Sequence, residues 1–343
     1  MNSIHLAVVT PRLKAGEVWG AERYYEGLMQ ALNTDGVSAE MVPVTIDESS
    51  FETILEAYLR CYELDLSRYD GVISTKAPTY MVRHSNHICW LVHTIRVFYD
   101  MYEKEYPSPW AELEEQRQFI FAADTAALST PHIKRLFVIG EELRQRLLKY
   151  IALDSELLRP PLAKDCFVFQ RGDRGYAFTA GRLHRWKRID LMIRAMEFTR
   201  TPIELWISGR GEDEKALKSL AGGHPRIRFL GRVSDEALVD LYTESRVIPF
   251  TPLREDYGYV TLEAFRSGKP VITCEDSGEP ARLVKHGVSG FVVRPDPEEI
   301  AHYLDYFFEH PDDARDMGRN GAESIRHMCW DTVRSRILSA LGF

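Results

Sequence analysis

Residues 247–273 read VIPFTPLREDYGYVTLEAFRSGKPVIT, and the period of the apolar pattern changes twice within this stretch. Val247–Phe250 and Val271–Thr273 are short apolar runs with β-branched residues, as is typical of buried strands. Val260–Ser267 has the apolar spacing of a helix, and a Gly-Lys-Pro turn separates it from the second strand. A strand, a helix and another strand in this order predict two parallel strands joined by a crossover helix.

The same alternation extends along the whole chain and predicts a parallel α/β fold. It is interrupted at Leu158-Arg159-Pro160-Pro161-Leu162, where two adjacent prolines lack backbone donors and stiffen the chain. A chain of 343 residues is also too long for one ordinary core. We therefore predict two doubly wound, Rossmann-like domains, residues 1–160 and 161–325, and a last amphipathic helix within 326–343. Ligands of such sheets bind outside the carboxyl ends of the strands, so the expected site is the cleft between the domains.

The composition excludes several classes of protein. The chain is 45% hydrophobic, and its net charge of −8 argues against a general nucleic-acid binder. No apolar run approaches the ~18 residues of a membrane-spanning helix, and Met1–Thr10 has the pattern of a strand rather than a signal peptide. The 5 cysteines are scattered without a Cys-x-x-Cys pair, so neither a disulfide framework nor a zinc site is expected. These features predict a cytoplasmic protein, and contact with the inner face of the membrane stays open.

Glu255 and Glu263 in the quoted stretch are the strongest candidates for ligand binding. Glu255 lies in a predicted loop, and Glu263 lies inside the helix that follows it. Gly258 lets backbone amides approach a ligand closely, and a helix N-terminus suits a diphosphate. The first carboxylate can then accept hydrogen bonds from sugar hydroxyls and the second from ribose hydroxyls. The alternative is that both glutamates are simply solvated.

The segment Ala180–Arg188, AGRLHRWKR, is a second candidate because it is a basic loop after the first strand of the second half. Arg182 can chelate phosphate oxygens with two N–H groups, and Lys187 adds a compact charge. A loop at the carboxyl end of a strand faces the cleft, so both side chains are expected to hold a leaving diphosphate. A solvated basic loop is the alternative.

These motifs, with Gly209-Arg210-Gly211 and Gly231-Arg232-Val233-Ser234 between them, stand in a familiar order. Residues 158–325 resemble family 4 of the retaining glycosyltransferases, which have the GT-B fold of two Rossmann-like domains facing across a cleft. The resemblance implies a nucleotide-sugar donor, such as a UDP- or GDP-sugar, as the substrate rather than a bound cofactor. It also implies that the final helix crosses back to the first domain.

The resemblance implies a role for each motif residue. Arg182 and Lys187 would bind the donor diphosphate, Glu255 the donor sugar and Glu263 the ribose. Backbone around Val233 would border the base. Amides at the helix start would meet the phosphate or the sugar, and they belong to Gly258, Tyr259 and Val260.

The first half resembles the family more loosely. Gly16–Arg23 is similar to its glycine-rich loop, which would place Gly20 against the ligand, although Gly20 as a helix cap is the alternative. His93 follows a predicted strand and would hydrogen-bond a donor-sugar hydroxyl, while Arg96 would reach the acceptor or a phosphate. Residues 98–110 are rich in aromatics and predict either an acceptor wall or ordinary packing.

The expected chemistry is a retaining, metal-independent transfer, with retention implied by the resemblance. The sequence contains no Asp-x-Asp pair, so Arg182, Lys187 and the helix dipole would stabilise the leaving diphosphate. Glu255 and His93 complete the predicted catalytic set. A nucleotide-sugar epimerase, another GT-B enzyme that needs no sugar acceptor, or an inert binding subunit remain alternatives.

The acceptor is the least determined part of the prediction. The family resemblance implies surface polysaccharide, lipopolysaccharide or glycolipid synthesis, with a saccharide, a lipid-linked molecule or a small molecule supplying the hydroxyl. Arg144, Arg146 and Lys149 on a predicted helix would touch anionic lipid, and a solvated face is the alternative.

Overall fold

The computed structural model describes residues 3–13, 21–34, 36–129, 131, 133–163 and 172–343. It divides into two compact units, residues 1–163 with 328–343, and residues 164–327. Each unit contains parallel strands connected by helices, which confirms the predicted α/β fold of two Rossmann-like domains.

The first unit is built on one parallel sheet in the order β2-β1-β3-β4-β5-β6. Its strands are β1 (Ile4–Leu13), β2 (Val37–Ile46), β3 (Gly71–Lys76), β4 (His87–His93), β5 (Ile133–Val138) and β6 (Glu156–Leu157). Its connecting helices are α1 (Ala21–Leu32), α2 (Phe51–Tyr62), α3 (Tyr102–Glu105), α4 (Ala111–Leu128) and α5 (Glu141–Ile151). Leu6, Ala7, Val8 and Val9 are fully buried, as expected for a strand covered on both faces.

The second unit has two three-stranded parallel sheets, β7-β8-β9 and β10-β11-β12. A parallel bridge between Ala177 and Val247 joins them into the order β9-β8-β7-β10-β11-β12. This is the Rossmann order 3-2-1-4-5-6, whose ligand crevice lies where the first and fourth strands separate. The strands are β7 (Ala177–Ala180), β8 (Leu205–Ser208), β9 (Ile227–Gly231), β10 (Ile248–Pro249), β11 (Val271–Cys274) and β12 (Gly290–Val293). The helices are α6 (Ile189–Ala195), α7 (Glu214–Ala221), α8 (Asp235–Glu244), α9 (Tyr259–Arg266), α10 (Glu279–Leu283), α11 (Pro297–Glu309) and α12 (Pro311–Ile325).

The last helix, α13 (Trp330–Leu341), packs in the first unit against α1, β4 and β5. The Trp330 indole N–H donates to the Leu162 carbonyl at 2.9 Å, and its ring meets Trp90 edge-on at 6.3 Å between centroids. A Cβ on Gly27 of α1 would collide with the Trp330 ring, so this glycine permits the close approach. The predicted return of the final helix is confirmed.

One helix begins later than the sequence predicts. The apolar pattern predicts a helix from Glu212, whereas α7 begins at Glu214. The Asp213 N–H donates to the Leu183 carbonyl at 3.0 Å, and the Leu183 N–H donates to the Arg210 carbonyl at 2.9 Å. Backbone contacts with the neighbouring loop therefore keep Glu212 outside the helix.

Among the described residues, no helix is both long and apolar enough to span a bilayer.

A buried carboxylate organises the polar core of the first unit. Asp124 on α4 is fully buried and accepts hydrogen bonds from three tyrosine hydroxyls. Tyr58 donates at 2.5 Å, Tyr99 donates at 2.6 Å, and Tyr80 donates to the same oxygen as Tyr58. Burial raises the pKa of Asp124 to about 6, although the three tyrosine hydrogen bonds oppose that rise.

The raised pKa predicts how the stability of the chain depends on pH. The pKa of an unfolded Asp is about 3.9, so the folded chain holds this proton more tightly. The resulting stabilisation is complete below about pH 4 and is lost as pH rises through the folded value of about 6. We expect the free energy of unfolding of wild type, relative to that of Asp124→Asn, to fall by up to about 3 kcal/mol between about pH 4 and about pH 6. Urea unfolding of both proteins at several pH values measures this difference, and Asp312→Asn on the exposed face of α12 is the control. A difference between wild type and Asp124→Asn that does not change with pH would contradict the prediction.

Candidate functional site

The two motifs predicted separately in the second half lie in direct contact. The Lys187 ammonium donates to both carboxylate oxygens of Glu255, each at 2.7 Å. The two side chains are 27% and 20% exposed, so the pair is accessible without lying fully in solvent. Lys187 follows β7 and Glu255 follows β10, the strands between which a Rossmann sheet forms its ligand crevice.

Arg188, the residue after Lys187, fixes the distance between these loops. Its guanidinium donates to the carbonyls of Thr251 and Pro252 at 2.8 and 2.9 Å. It also forms a two-point ion pair with Asp276, at 2.8 and 2.6 Å. The fork of the Arg188 side chain thus joins the loops after β7, β10 and β11. Sequence reasoning missed this role, because Arg188 looked like one more cation in a basic loop.

The loop after β11 supports the backbone of Glu255. The Glu255 N–H donates to the Ser277 carbonyl, and the Glu279 N–H donates to the Glu255 carbonyl, each at 2.9 Å. Gly278 has φ +78°, and a Cβ at this position would lie 2.7 Å from the Glu255 nitrogen. Glycine is therefore needed here, and its close approach supports the backbone of Glu255.

Helix α9 begins directly after the loop that follows β10 and carries Glu255. Gly258 has φ +77°, and a Cβ on it would lie 2.8 Å from Pro280 and 2.9 Å from Phe250. Having no side chain, Gly258 cannot cap the first turn itself. Tyr259 and Val260 are half-buried at the helix start, where backbone N–H groups and the helix dipole favour an anion.

Glu263 is placed differently from Glu255. It is only 5% exposed, and Oε2 accepts a hydrogen bond of 2.7 Å from the Tyr242 hydroxyl of α8. A buried carboxylate is expensive without such a partner. The sequence pattern places Tyr242 on a helix but does not indicate its contact with Glu263. Asp256, next to Glu255, is also buried at 7% exposure.

Arg182 does not lie in the Lys187–Glu255 pair but binds Glu212 in the loop after β8. Arg182 Nε donates to Glu212 Oε2 at 3.0 Å, and its terminal nitrogen donates to the other oxygen. Val233 is half-buried between β9 and Ser234, whose side chain caps α8. Each of these residues therefore follows the carboxyl end of a neighbouring strand.

His184 lies within the same basic loop. Its Nδ1 accepts the Trp186 backbone N–H at 3.2 Å. Burial, reinforced by the positive charge of Arg182, lowers the pKa of His184. A neutral His184 with Nδ1 as acceptor carries its proton on Nε2.

In the first unit, Gly20 lies outside the described residues, whereas His93 is the half-exposed last residue of β4. His93 pairs in register with Lys76, which forms an ion pair of 2.9 Å with Glu48. Burial acts to raise the pKa of Glu48, but the charges of Lys76 and His93 lower it overall. The structure thus places His93 in a charged cluster at the carboxyl ends of the strands.

Two further residues of the first unit that the sequence assigns to ligand or lipid contacts are buried. Arg96 is ion-paired with Asp100 at 2.6 Å, and its contact with the acceptor or a phosphate stays a prediction. Arg146 is also buried and pairs with Asp100 at 2.8 Å. It therefore cannot share an exposed lipid-binding face with Arg144 and Lys149. Most aromatic side chains of residues 98–110 are packed inside, although Trp110 is exposed.

Comparison with known proteins adds to this picture. Residues 167–324 match the family model described as Glycosyl transferases group 1. The chain is 28% identical to D-rhamnosyltransferase WbpZ of Pseudomonas aeruginosa over 62% of this chain and 57% of that relative. It is 31% identical to alpha-1,3/1,6-mannosyltransferase ALG2 of Homo sapiens, over 59% of this chain and 52% of the relative. In both alignments the chain spans little more than half of the relative's length.

The fold is shared with a solved structure, Anabaena HepE in complex with UDP and glucose. The TM-score is 0.72 over 99% of both chains, at 14% sequence identity. At this identity the likeness concerns the fold alone. The chain therefore has the GT-B fold, and residues 167–324 of its second unit match the glycosyl transferases group 1 model.

Proposed function

We propose that this chain is a retaining glycosyltransferase of the family 4 type. It would move a sugar from a nucleoside-diphosphate-sugar donor to a hydroxyl acceptor without the help of a metal ion. The observation that carries the proposal is the contact of Lys187 with both oxygens of Glu255 where β7 and β10 separate. A cation for phosphate and an acceptor for sugar hydroxyls thereby lie side by side, next to the N-terminus of α9.

The donor would bind across these loops. Lys187, Arg182 and the amides of Gly258, Tyr259 and Val260 would hold the diphosphate. Glu255 would accept hydrogen bonds from the sugar, Glu263 from the ribose, and backbone near Val233 would border the base. His93 would contribute a hydrogen bond to the donor sugar, and the glycine-rich segment with Gly20 would complete the site.

In the reaction, the bond between the sugar C1 and the diphosphate oxygen breaks, and a bond from C1 to the acceptor oxygen forms. The acceptor attacks from the face that the diphosphate leaves, so the configuration is retained. Its hydroxyl proton passes to the departing phosphate oxygen. Lys187 and Arg182 stabilise the negative charge that develops on that oxygen, which is electrostatic preorganisation.

The acceptor and the cellular location are further parts of the proposal. The relatives act as a rhamnosyltransferase and a mannosyltransferase, which favours a saccharide or lipid-linked acceptor in glycan synthesis. We place the reaction in the cytoplasm, with the inner face of the membrane as the source of a lipid-linked acceptor.

Lys187→Ala tests the phosphate role. Loss of one charged donor to a developing oxyanion costs on the order of 10²-fold in turnover, and we expect at least that loss. Transfer and hydrolysis of UDP- and GDP-sugars provide the measurement, with circular dichroism as the check on folding. Lys215→Ala on the exposed face of α7 is the matched control. Wild-type turnover in Lys187→Ala would remove this lysine from the mechanism.

Glu255→Gln separates sugar recognition from nucleotide recognition. The variant keeps the size of the side chain but weakens its hydrogen bonds to sugar hydroxyls. We expect transfer to fall by about 10²-fold, while calorimetry shows that UDP or GDP still binds. If nucleotide binding is lost and transfer at saturating donor is kept, the proposed roles of Glu255 and Glu263 are reversed.

Chelation tests the proposed independence of metal. Because Lys187, Arg182 and the α9 N-terminus supply the positive charge, transfer should persist after dialysis against excess EDTA. Added Mg²⁺ or Mn²⁺ should change the rate by less than about twofold, because the protein's own cations already stabilise the charge on the leaving diphosphate. A rate that disappears with EDTA and returns with metal would contradict this part of the mechanism.

A further inference from the structure

The cation Arg182 is held by a carboxylate from a neighbouring loop. Arg182 Nε lies 3.0 Å from Glu212 Oε2, and the second guanidinium nitrogen donates to Oε1. The two oxygens of Glu212 thus occupy the side of the guanidinium that would otherwise bind two phosphate oxygens. Both side chains remain accessible, at 30% and 51% exposure.

The backbone sets this pairing. The Gly181 N–H donates to the Ser208 carbonyl at 3.0 Å. A Cβ on Gly209 would collide with the Gly181 carbonyl, and one on Gly211 would collide with Leu183. The two glycines let the loops after β7 and β8 lie in contact, and this contact brings Glu212 beside Arg182. The pair is therefore built into the loops rather than formed by chance between long, exposed side chains.

We propose that Glu212 is an affinity-determining residue that competes with the diphosphate for Arg182, an inference that rests on the proposed function. The donor and the released nucleoside diphosphate each displace Glu212 from one side of the guanidinium. When the product leaves, the Glu212 carboxylate takes its place. Glu212 therefore weakens binding of the nucleoside diphosphate and promotes its release.

Glu212 and Glu255 each pair with a cation, but their proposed roles differ. Glu255 also pairs with a cation, Lys187, but it is proposed to contact the sugar as well. Glu212 follows β8, and its only proposed role is to compete for Arg182. Removing its charge should consequently strengthen nucleotide binding without removing a group that contacts the sugar.

Glu212→Gln tests the proposal, with binding of UDP and GDP measured by calorimetry at low and high NaCl. Exposed ion pairs contribute up to about 1 kcal/mol, so the affinity should rise about two- to fivefold. Product inhibition by the same nucleotide should strengthen by the same factor. The gain should shrink at high salt, because mobile ions screen exposed charges.

Two controls isolate the effect. Glu214→Gln removes the same charge two residues away, where Glu214 pairs with Lys218 at 2.7 Å instead, and should leave the affinity unchanged. In an Arg182→Ala background, Glu212→Gln should bring no gain, because the competed cation is absent. Unchanged or weaker binding in Glu212→Gln, or an equal gain in Glu214→Gln, overturns the inference while the proposed function stands. If wild type binds neither UDP nor GDP, the proposed donor class fails and the inference fails with it.

Discussion

The Arg188 guanidinium supports the candidate site, because it binds two carbonyls of the loop after β10 and the carboxylate of Asp276 after β11. Loops at the ends of parallel strands would otherwise be free to separate. Arg188 adopts a left-handed backbone conformation, with φ +49°, which turns the chain sharply between the basic loop and α6. This conformation is uncommon for a residue with a side chain, and the four side-chain hydrogen bonds explain how it is maintained. Lys187 meets Glu255 because Arg188, its neighbour, is fixed.

Each cation that is proposed to bind phosphate is paired with a carboxylate. Lys187 pairs with Glu255 and Arg182 with Glu212. Without a ligand, each of these cations then has a carboxylate as its counter-ion. Each ion pair restricts the positions that the cationic side chain can take. If the proposed function holds, nucleotide binding would exchange one anion for another at these cations, and its net free energy would be smaller than the phosphate contacts alone would give.

Local patterns in the sequence were sufficient to predict the order of strands and helices. Val247–Phe250 contained β10, and Val260–Ser267 nearly coincided with α9. The Rossmann order then made contact between the loops after β7 and β10 predictable, since both follow strands beside the ligand crevice.

Partners of individual side chains were not predictable in the same way. Lys187 and Glu255 are 68 residues apart in the chain, and Arg188 and Asp276 are 88 apart. Such pairs depend on the final positions of several loops. The position of Arg96 after β4 is visible in the sequence and predicts a ligand contact, whereas its ion pair with Asp100 is not visible there. The apolar spacing of α7 extends the predicted helix to Glu212, whereas backbone contact between Asp213 and Leu183 delays the start of α7 to Glu214.

The buried Glu263–Tyr242 pair orients a carboxylate inside α9. A carboxylate in the core loses hydration, and the hydrogen bond from the Tyr242 hydroxyl offsets part of that loss. An apolar residue of similar size would avoid that loss of hydration, but it would deprive the buried Tyr242 hydroxyl of this acceptor. The Tyr242 hydroxyl holds one carboxylate oxygen at 2.7 Å and so orients the Glu263 side chain. This orientation, one helix turn beyond the proposed diphosphate position at the start of α9, fits the proposed role of Glu263 as an acceptor of hydrogen bonds from ribose hydroxyls.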